Sequence, residues 1–413
     1  MTADSSIRLD VPADVGDGAG SRPARLPLVV HVLAVGTFLM LTTEFVVAGL
    51  LPEIAGDLQV SVAQAGLLIT VFAVGMVVGA PAMALLTRRM PRRTTLLLAL
   101  AVFAAGHIVV AVGSSFPLLL AARFMTAFAT GAFWAVASVA ATRAAGPGAS
   151  SRALGLVGAG GMLANVVGVP LGAFAGQLSG WRGPFWALAA LSLAAVPLIA
   201  RHVAREDDDQ QPVSLQSELS AMRSGRLWLV LAACATTTGG VLSAYSYIAP
   251  LLTDQAGIPA GRVPLVLVGF GVGSLIGTIV GGRLGDARPH TTIIAVAAST
   301  TVVLLGMCLL SAHAWPTVLL VVLLGLVGLS ANPVLSALAV RFSGVAPTLG
   351  VAMSVSAYNL GTAVGSGIAS HALESRIGAI GPALVGTGFA ALTLIPTIAI
   401  ALRARRPVSA GAP

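Results

Sequence analysis

The chain has 413 residues, of which 56% are hydrophobic and only 9% charged, with a mean hydropathy of +0.94. A soluble protein of that balance would expose apolar surface it could not cover, so the composition indicates a polytopic membrane protein. The net charge of +8 could suggest a nucleic-acid binder. But all 23 basic residues are arginine and nearly all fall in short segments between apolar runs, a pattern of membrane topology, so no nucleic-acid partner is expected.

Taken in order, residues 1–25 are rich in Asp, Gly, Pro and Ser and are expected to form a disordered tail. The apolar run that follows, Leu26 to Leu51 (LPLVVHVLAVGTFLMLTTEFVVAGLL), exceeds the roughly 20 residues a helix needs to cross a bilayer. It is too long for a cleaved signal peptide and lacks the small-residue cleavage pattern. Its one acid, Glu44, stands seven residues before the end and is the only carboxylate well inside an apolar run. An ionisable group at that depth costs at least ~2.5–3.5 kcal/mol unless it meets a partner or a wet cavity, which marks Glu44 as a functional candidate.

Twelve spans are read, near 26–51, 63–87, 94–112, 118–142, 153–178, 184–200, 227–252, 263–282, 291–311, 317–342, 349–374 and 382–402. The expected organisation is an all-α membrane protein in two six-helix halves, 26–200 and 227–402. A linker over 201–226 carrying EDDDQQ joins them, and the C-terminal tail runs from 403 to 413. With both termini on one side, Arg182, Arg262 and Arg376 fall on the opposite side and Arg123 within a span; the remaining nineteen arginines share the side of the termini. That bias predicts cytoplasmic termini and linker in a cell-membrane protein.

The second and third spans are joined by LLTRRMPRR (85–93), and the eighth and ninth by GGRLGDARPH (281–290), an internal repeat between the halves. In the latter, Asp286 follows Gly282 by four residues, placed to cap backbone donors and to pair with an arginine across the bundle. On the fourth span Arg123, Thr126, Thr130 and Trp134 are spaced 3, 4 and 4, and on the first Thr37, Met40, Glu44 and Ala48 share a face. Threonine, methionine and tryptophan walls suit a neutral amphipathic ligand. The seventh span has a polar face with Tyr245, and Asn165, Asn332 and Asn359 need hydrogen-bond partners inside the bundle. Gly168, Gly172 and Gly176 form a small-residue stripe on the fifth span, and Pro170 should bend it, as a hinge or merely for close packing. His31 and His107 read as packing or interfacial residues outside the site. Cys234 and Cys308 make no disulfide or metal framework.

The chain resembles the major facilitator superfamily, and within it the twelve-span drug:proton antiporters. TTEFVVAGLLPEIA (42–55) resembles their first-span signature, and the loops 85–93 and 281–290 resemble the repeated G-x-L-x-D-R-x-G-R-R motif. Arg123 with Thr126 and Ala127 resembles the fourth-span R-x-x-Q-G, and Gly168-Val169-Pro170-Leu171-Gly172 the fifth-span G-P-x-x-G. The departures are Arg88 where the family has its acid, Ala84 in place of glycine, His290 in place of an arginine and one residue inserted before Pro170. The resemblance, strongest to chloramphenicol exporters of actinobacteria, implies that Arg88, Arg92, Arg93, Gly168, Pro170, Gly172, Gly282 and Asp286 form conformational motifs.

Glu44, seven residues before the end of the first span, and Arg123, five residues into the fourth, lie at similar depth from the same face, and the family fold implies that these spans are side by side. They then form either a proton-coupling pair or a permanent salt bridge. Thr37, Met40, Thr126, Thr130, Trp134, Tyr245, Asn332 and Asn359 are the expected substrate-cavity residues. The expected partners are a small drug, protons and the lipid bilayer, with the chain a monomer. The expected activity is proton-coupled export of a neutral amphipathic drug such as chloramphenicol; the alternatives are export of sugars or nucleosides on the same fold, or more remotely a membrane-embedded enzyme or receptor. No phosphate-binding G-x-x-x-x-G-K-[ST] loop, zinc motif or nucleophile elbow appears, so no cofactor, metal or catalytic residue is expected.

Overall fold

A computed structural model describes residues 26–86, 90–146, 149–203, 222–344 and 347–405, and its regular structure over these is helical. The tail 1–25, Arg88, most of the 201–226 linker and the chain beyond 405 lie outside the described residues. The first run does not continue as one helix to Leu51. Helix α1 (Leu28–Val46) gives way to a 3-10 turn at Val47–Gly49 and then to the short α2 (Leu51–Leu58). The cause is Pro52 in the first turn of α2, which has no N–H and whose ring clashes with the carbonyl four residues back.

Next come α3 (Val62–Leu86), α4 (Arg92–Val112), α5 (Phe116–Ala145), α6 (Ser150–Leu163), α7 (Val169–Ser179) and α8 (Gly183–His202). The second set comprises α9 (Gly225–Ser246), α10 (Val263–Ala287), α11 (Pro289–Leu310), α12 (Ala314–Gly328), α13 (Asn332–Phe342), α14 (Pro347–Glu374) and α15 (Gly381–Arg405). Helices α6 and α7 are joined through a π turn at Ala164–Gly168, where the Val169 N–H reaches the carbonyl of Ala164. The wider turn accommodates Pro170, so the chain continues as one rod.

Among the described residues, 11 helical segments are long and apolar enough to cross a membrane. Side chains such as Leu98, Leu171, Leu265, Val302 and Leu319 point outward from the bundle, as a lipid-facing surface requires. The segment expected as the eleventh span is a continuous helix, α14, but is not among those 11. Ser354, Asn359, Thr362, Ser366 and Ser370 on it are buried against protein, which lets the helix be polar.

Buried apolar side chains form one large core drawn from both sets of helices, with Val46, Ile54, Leu119 and Phe185 meeting Tyr245, Leu267, Leu304 and Ala369. Two further cores are confined to one set each: Leu33, Phe103, Phe133 and Ile199 in the first, Leu227, Ile293, Leu338 and Ile400 in the second. The sets therefore share a core at the end away from Leu28 and Arg405, here called the far end, and have separate cores at the other. Polar contacts tie the same seam. Ser61 Oγ donates to Glu374 Oε1 at 2.5 Å, Gln177 Nε2 to the Ala260 carbonyl at 2.7 Å, and the Thr70 and Ser366 hydroxyls meet at 2.7 Å. Tyr245 stacks on Phe270 with ring centroids 4.1 Å apart and receives the edge of Phe45 at 6.1 Å.

A clasp at the far end binds loops of the first set. Arg182 pairs with Asp57, donates from Nη2 to the Gly113 carbonyl at 3.1 Å and lies over the Trp181 ring at 4.2 Å. The hydrogen bond from Arg182 holds the Asp57 carboxyl below its usual range. The clasp thus contributes stability above the carboxylate's unfolded pKa of about 3.9, and that contribution is lost as pH falls through the lower folded value. Both partners are partly solvated, so the pair is worth under about 1 kcal/mol. Asp57→Asn is expected to lower the melting temperature slightly at pH 7, and the gap to wild type should narrow as pH falls toward 3. A gap independent of pH would show that the charge on Asp57 is irrelevant.

Candidate functional site: the buried arginine network

Where α1 breaks, its last turn exposes carbonyls that have lost their intrahelical donors. Arg123, on α5 and 1% exposed, supplies them. Its Nη1 donates to the Thr43 carbonyl at 3.0 Å and to Thr43 Oγ1 at 2.8 Å, and its Nη2 to the Glu44 carbonyl at 3.3 Å. Nε donates to the Leu68 carbonyl on α3 at 3.3 Å, and the guanidinium sits 4.3 Å from the Phe72 ring centroid. A cation at a helix C-terminus is also favoured by the helix dipole. Arg123 is thus a cap for the broken helix, held against two neighbouring helices.

The expected closeness of Glu44 and Arg123 is present, with a different contact. The arginine bonds the main chain of Glu44, while the half-buried carboxylate takes no hydrogen bond among the described residues. The break after Val46 leaves main-chain carbonyls in need of donors, and the guanidinium supplies them.

His107 completes the network, although it was expected only to pack. It is 1% exposed on α4, with Nδ1 2.7 Å from the Phe103 carbonyl and Nε2 2.7 Å from Thr43 Oγ1. A carbonyl only accepts, so Nδ1 carries the proton and Nε2 accepts from the Thr43 hydroxyl. That hydroxyl in turn accepts from Arg123, which gives one direction to the chain Arg123, Thr43, His107, Phe103. The available signal in the sequence was one more ionisable residue inside a span; nothing local linked it to Thr43, 64 residues away.

The cavity residues fall in four places. Thr37 and Trp134 both face Gly161 of α6, where an added Cβ would lie 3.6 Å from Trp134 and 3.9 Å from Thr37, and Thr130 donates to Met40 Sδ at 3.9 Å. Four of the eight thus converge between α1, α5 and α6. Thr126 does not join them: its methyl packs on Gly106 of α4 and its hydroxyl returns to the Arg123 carbonyl at 2.9 Å. Three residues along a helix turn it about 60° short of a full circle, enough to reach another neighbour. Tyr245 lies in the aromatic seam at the far end. Asn332 and Asn359 belong to the second set, and their side-chain oxygens, like Thr37 Oγ1, are buried without a hydrogen-bond partner among the described residues.

Gly168, Gly172 and Gly176 meet Thr42, Val46 and Leu50 of the first span, so the stripe is a helix contact at matching four-residue steps. Pro170 is buried two residues after the π turn. In the loop motifs, Arg92 and Arg93 open α4 half-buried. Asp286 is exposed near the end of α10, and the expected ion pair is not formed among the described residues. The two sets have separate cores at that end. Gly282 is not the close contact there: a Cβ on it would come no nearer than 3.9 Å to Pro333, whereas Gly281 and Gly285 abut Ser330 and Val334.

The Major Facilitator Superfamily model matches residues 33–370. The chain is 36% identical over 363 residues to a chloramphenicol resistance protein of Streptomyces lividans, covering 86% of this chain and 92% of that one. It is 32% identical over 368 residues to the uncharacterized MFS-type transporter YtbD of Bacillus subtilis, covering 88% and 91%. It is 30% identical over 363 residues to the inner membrane transport protein YdhP of Escherichia coli K12, covering 88% and 93%. The molecule is a multi-pass transporter of the cell membrane rather than an enzyme. It belongs to the Major Facilitator Superfamily.

The hydrogen-bond chain makes a double-mutant prediction. His107→Phe keeps the ring against Phe103 and Phe185 but removes the acceptor for Thr43; Thr43→Val removes the hydroxyl at nearly constant shape. Each should destabilise the purified protein by about 1–3 kcal/mol. The double variant should be no worse than the worse single. Additive losses would show that the two side chains act independently.

Proposed function

We propose that the chain exports a neutral amphipathic drug, chloramphenicol or a related phenicol, in exchange for protons by alternating access. The observation that carries the coupling is the Glu44 carboxylate, free of hydrogen bonds among the described residues and one residue from the Phe45–Tyr245 contact of the seam. Its charge can change without dismantling the arginine cap, because Arg123 is committed to the main chain.

In this reading the chain has twelve spans in two six-helix halves, α14 being the span shielded by protein, and both termini face the cytoplasm. The far end is then the outer face, sealed by the shared core, and the cytoplasmic side is the one where the cores are separate. A charged carboxylate in a closed seam costs at least ~2.5–3.5 kcal/mol, and a neutral one avoids that cost. A proton taken up from outside lets the seam close over Glu44 and turns the site inward. Drug entering from the cytoplasm beside Thr37, Met40, Thr130 and Trp134 favours release of that proton inward. The ionised carboxylate then favours reopening of the outer seam. The phenicol assignment is supported by the Streptomyces lividans relative and by the apolar and aromatic wall on α1 and α5.

Two measurements test this. Glu44→Gln keeps size and polarity but removes the charge change. It should abolish drug accumulation driven by a pH gradient in inverted vesicles while drug binding to the purified variant is kept. Full active transport by that variant would leave Glu44 with no coupling role. In an efflux-deficient host, Trp134→Ala should lower phenicol resistance more than it lowers the amount of protein in the membrane. Export of a pentose or nucleoside with no effect on any phenicol would move the substrate to the sugar and nucleoside class.

A further inference from the structure

At the end of the bundle away from the shared core, the starts of α9 and α11 and the ends of α13 and α15 enclose a cavity of about 190 Å³. Arg226, Arg341, Arg403 and His290 line it, and Leu229 and Ile400 give it an apolar side. None of its lining residues, among those described, is a carboxylate, and none of the three guanidiniums makes an ion pair among the described residues. His290 Nδ1 is buried there without a hydrogen-bond partner among the described residues. Two of the four helices, α9 and α11, turn their N-termini, with their positive dipole ends, to this place, and α11 has no side-chain cap. Cations held together without a counter-charge repel one another. Their arrangement around a concave, partly apolar site is matched by an anion that brings its own apolar portion.

We propose that this cavity binds the phosphate group of an anionic membrane lipid, with Arg226, Arg341 and Arg403 around the phosphate, His290 beside them and an acyl chain along Leu229 and Ile400. The boundary position and the apolar wall favour a lipid over a free phosphate, which has no part to cover those side chains. Guanidinium forks match phosphate oxygens in pairs. A basic pocket between spans at the membrane surface is a recurring way of holding such headgroups. Occupancy fastens four helices of the second set at the end where it shares no core with the first, so lipid binding should stabilise the protein whatever it transports.

The test uses the full-length protein in detergent, melted in the presence of increasing phosphatidylglycerol, with phosphatidylcholine and inorganic phosphate in parallel. Phosphatidylglycerol should raise the melting temperature of the wild type in a saturable way, and phosphatidylcholine should do so far less. Arg341→Gln and Arg403→Gln should each raise the half-saturating amount about fivefold, the worth of one arginine at an anionic surface. Arg201→Gln, which removes a charge at the same end outside the cavity, should behave as wild type. Equal responses in all three variants, or an equal effect of phosphatidylcholine, would overturn the proposal. Saturation by inorganic phosphate alone, with loss of the phosphatidylglycerol response, would remove the lipid from it.

Discussion

Main-chain carbonyls that a broken helix leaves without donors must be satisfied inside a membrane, where no water is at hand to do it. The break after Val46 creates that demand, and the buried Arg123 meets it by bonding the Thr43 and Glu44 carbonyls. From this follow the position of α5 against α1, the contact with Leu68 on α3 and the path through Thr43 to His107 on α4. The same commitment keeps the guanidinium off the Glu44 carboxylate. A permanent side-chain salt bridge would have locked the one acid deep in the first span; a main-chain cap leaves it available.

The first span is held on its other side by a contact of a different kind. The glycines of the fifth span are seated on Thr42, Val46 and Leu50, and these steps run through the break, from α1 past the 3-10 turn. A side chain at Gly168 or Gly172 would overlap Thr42 or Val46, so the stripe fixes how near the two rods lie. The arginine network and the glycine contact together hold the rim of α1 that carries Glu44, beside the aromatic seam of Phe45, Tyr245 and Phe270.

Composition, apolar run lengths and arginine placement were enough to read a multi-pass helical membrane protein from the sequence, and the likeness to the major facilitator superfamily rested on short motifs such as TTEFVVAGLLPEIA. Those features are one-dimensional: a bilayer imposes a length and a polarity on each segment separately. Glu44 and Arg123 were each legible for the same reason, since a charge within an apolar run is costly wherever the run packs; their pairing was implied only by the family fold. The glycine stripe was legible as a helix contact because its period belongs to one helix. Helix α14 was legible as a helix through its place in the pattern, although its own side chains are more polar than those of the 11 apolar segments.

What the tertiary structure decided depends on atoms brought together from distant parts of the chain. That Arg123 caps a helix instead of pairing with a carboxylate follows from where α1 breaks and from which carbonyls are left open. That His107 joins the network depends on Thr43 arriving from another helix at hydrogen-bond distance. Thr126 turned toward α4 because a helix face has several neighbours, and spacing alone does not say which one it meets. The close approach beside Gly282 fell on Gly281 and Gly285, since the crossing point of two helices is set by both partners. Sequence periodicity determines which residues share a side of a helix; only packing determines what that side touches.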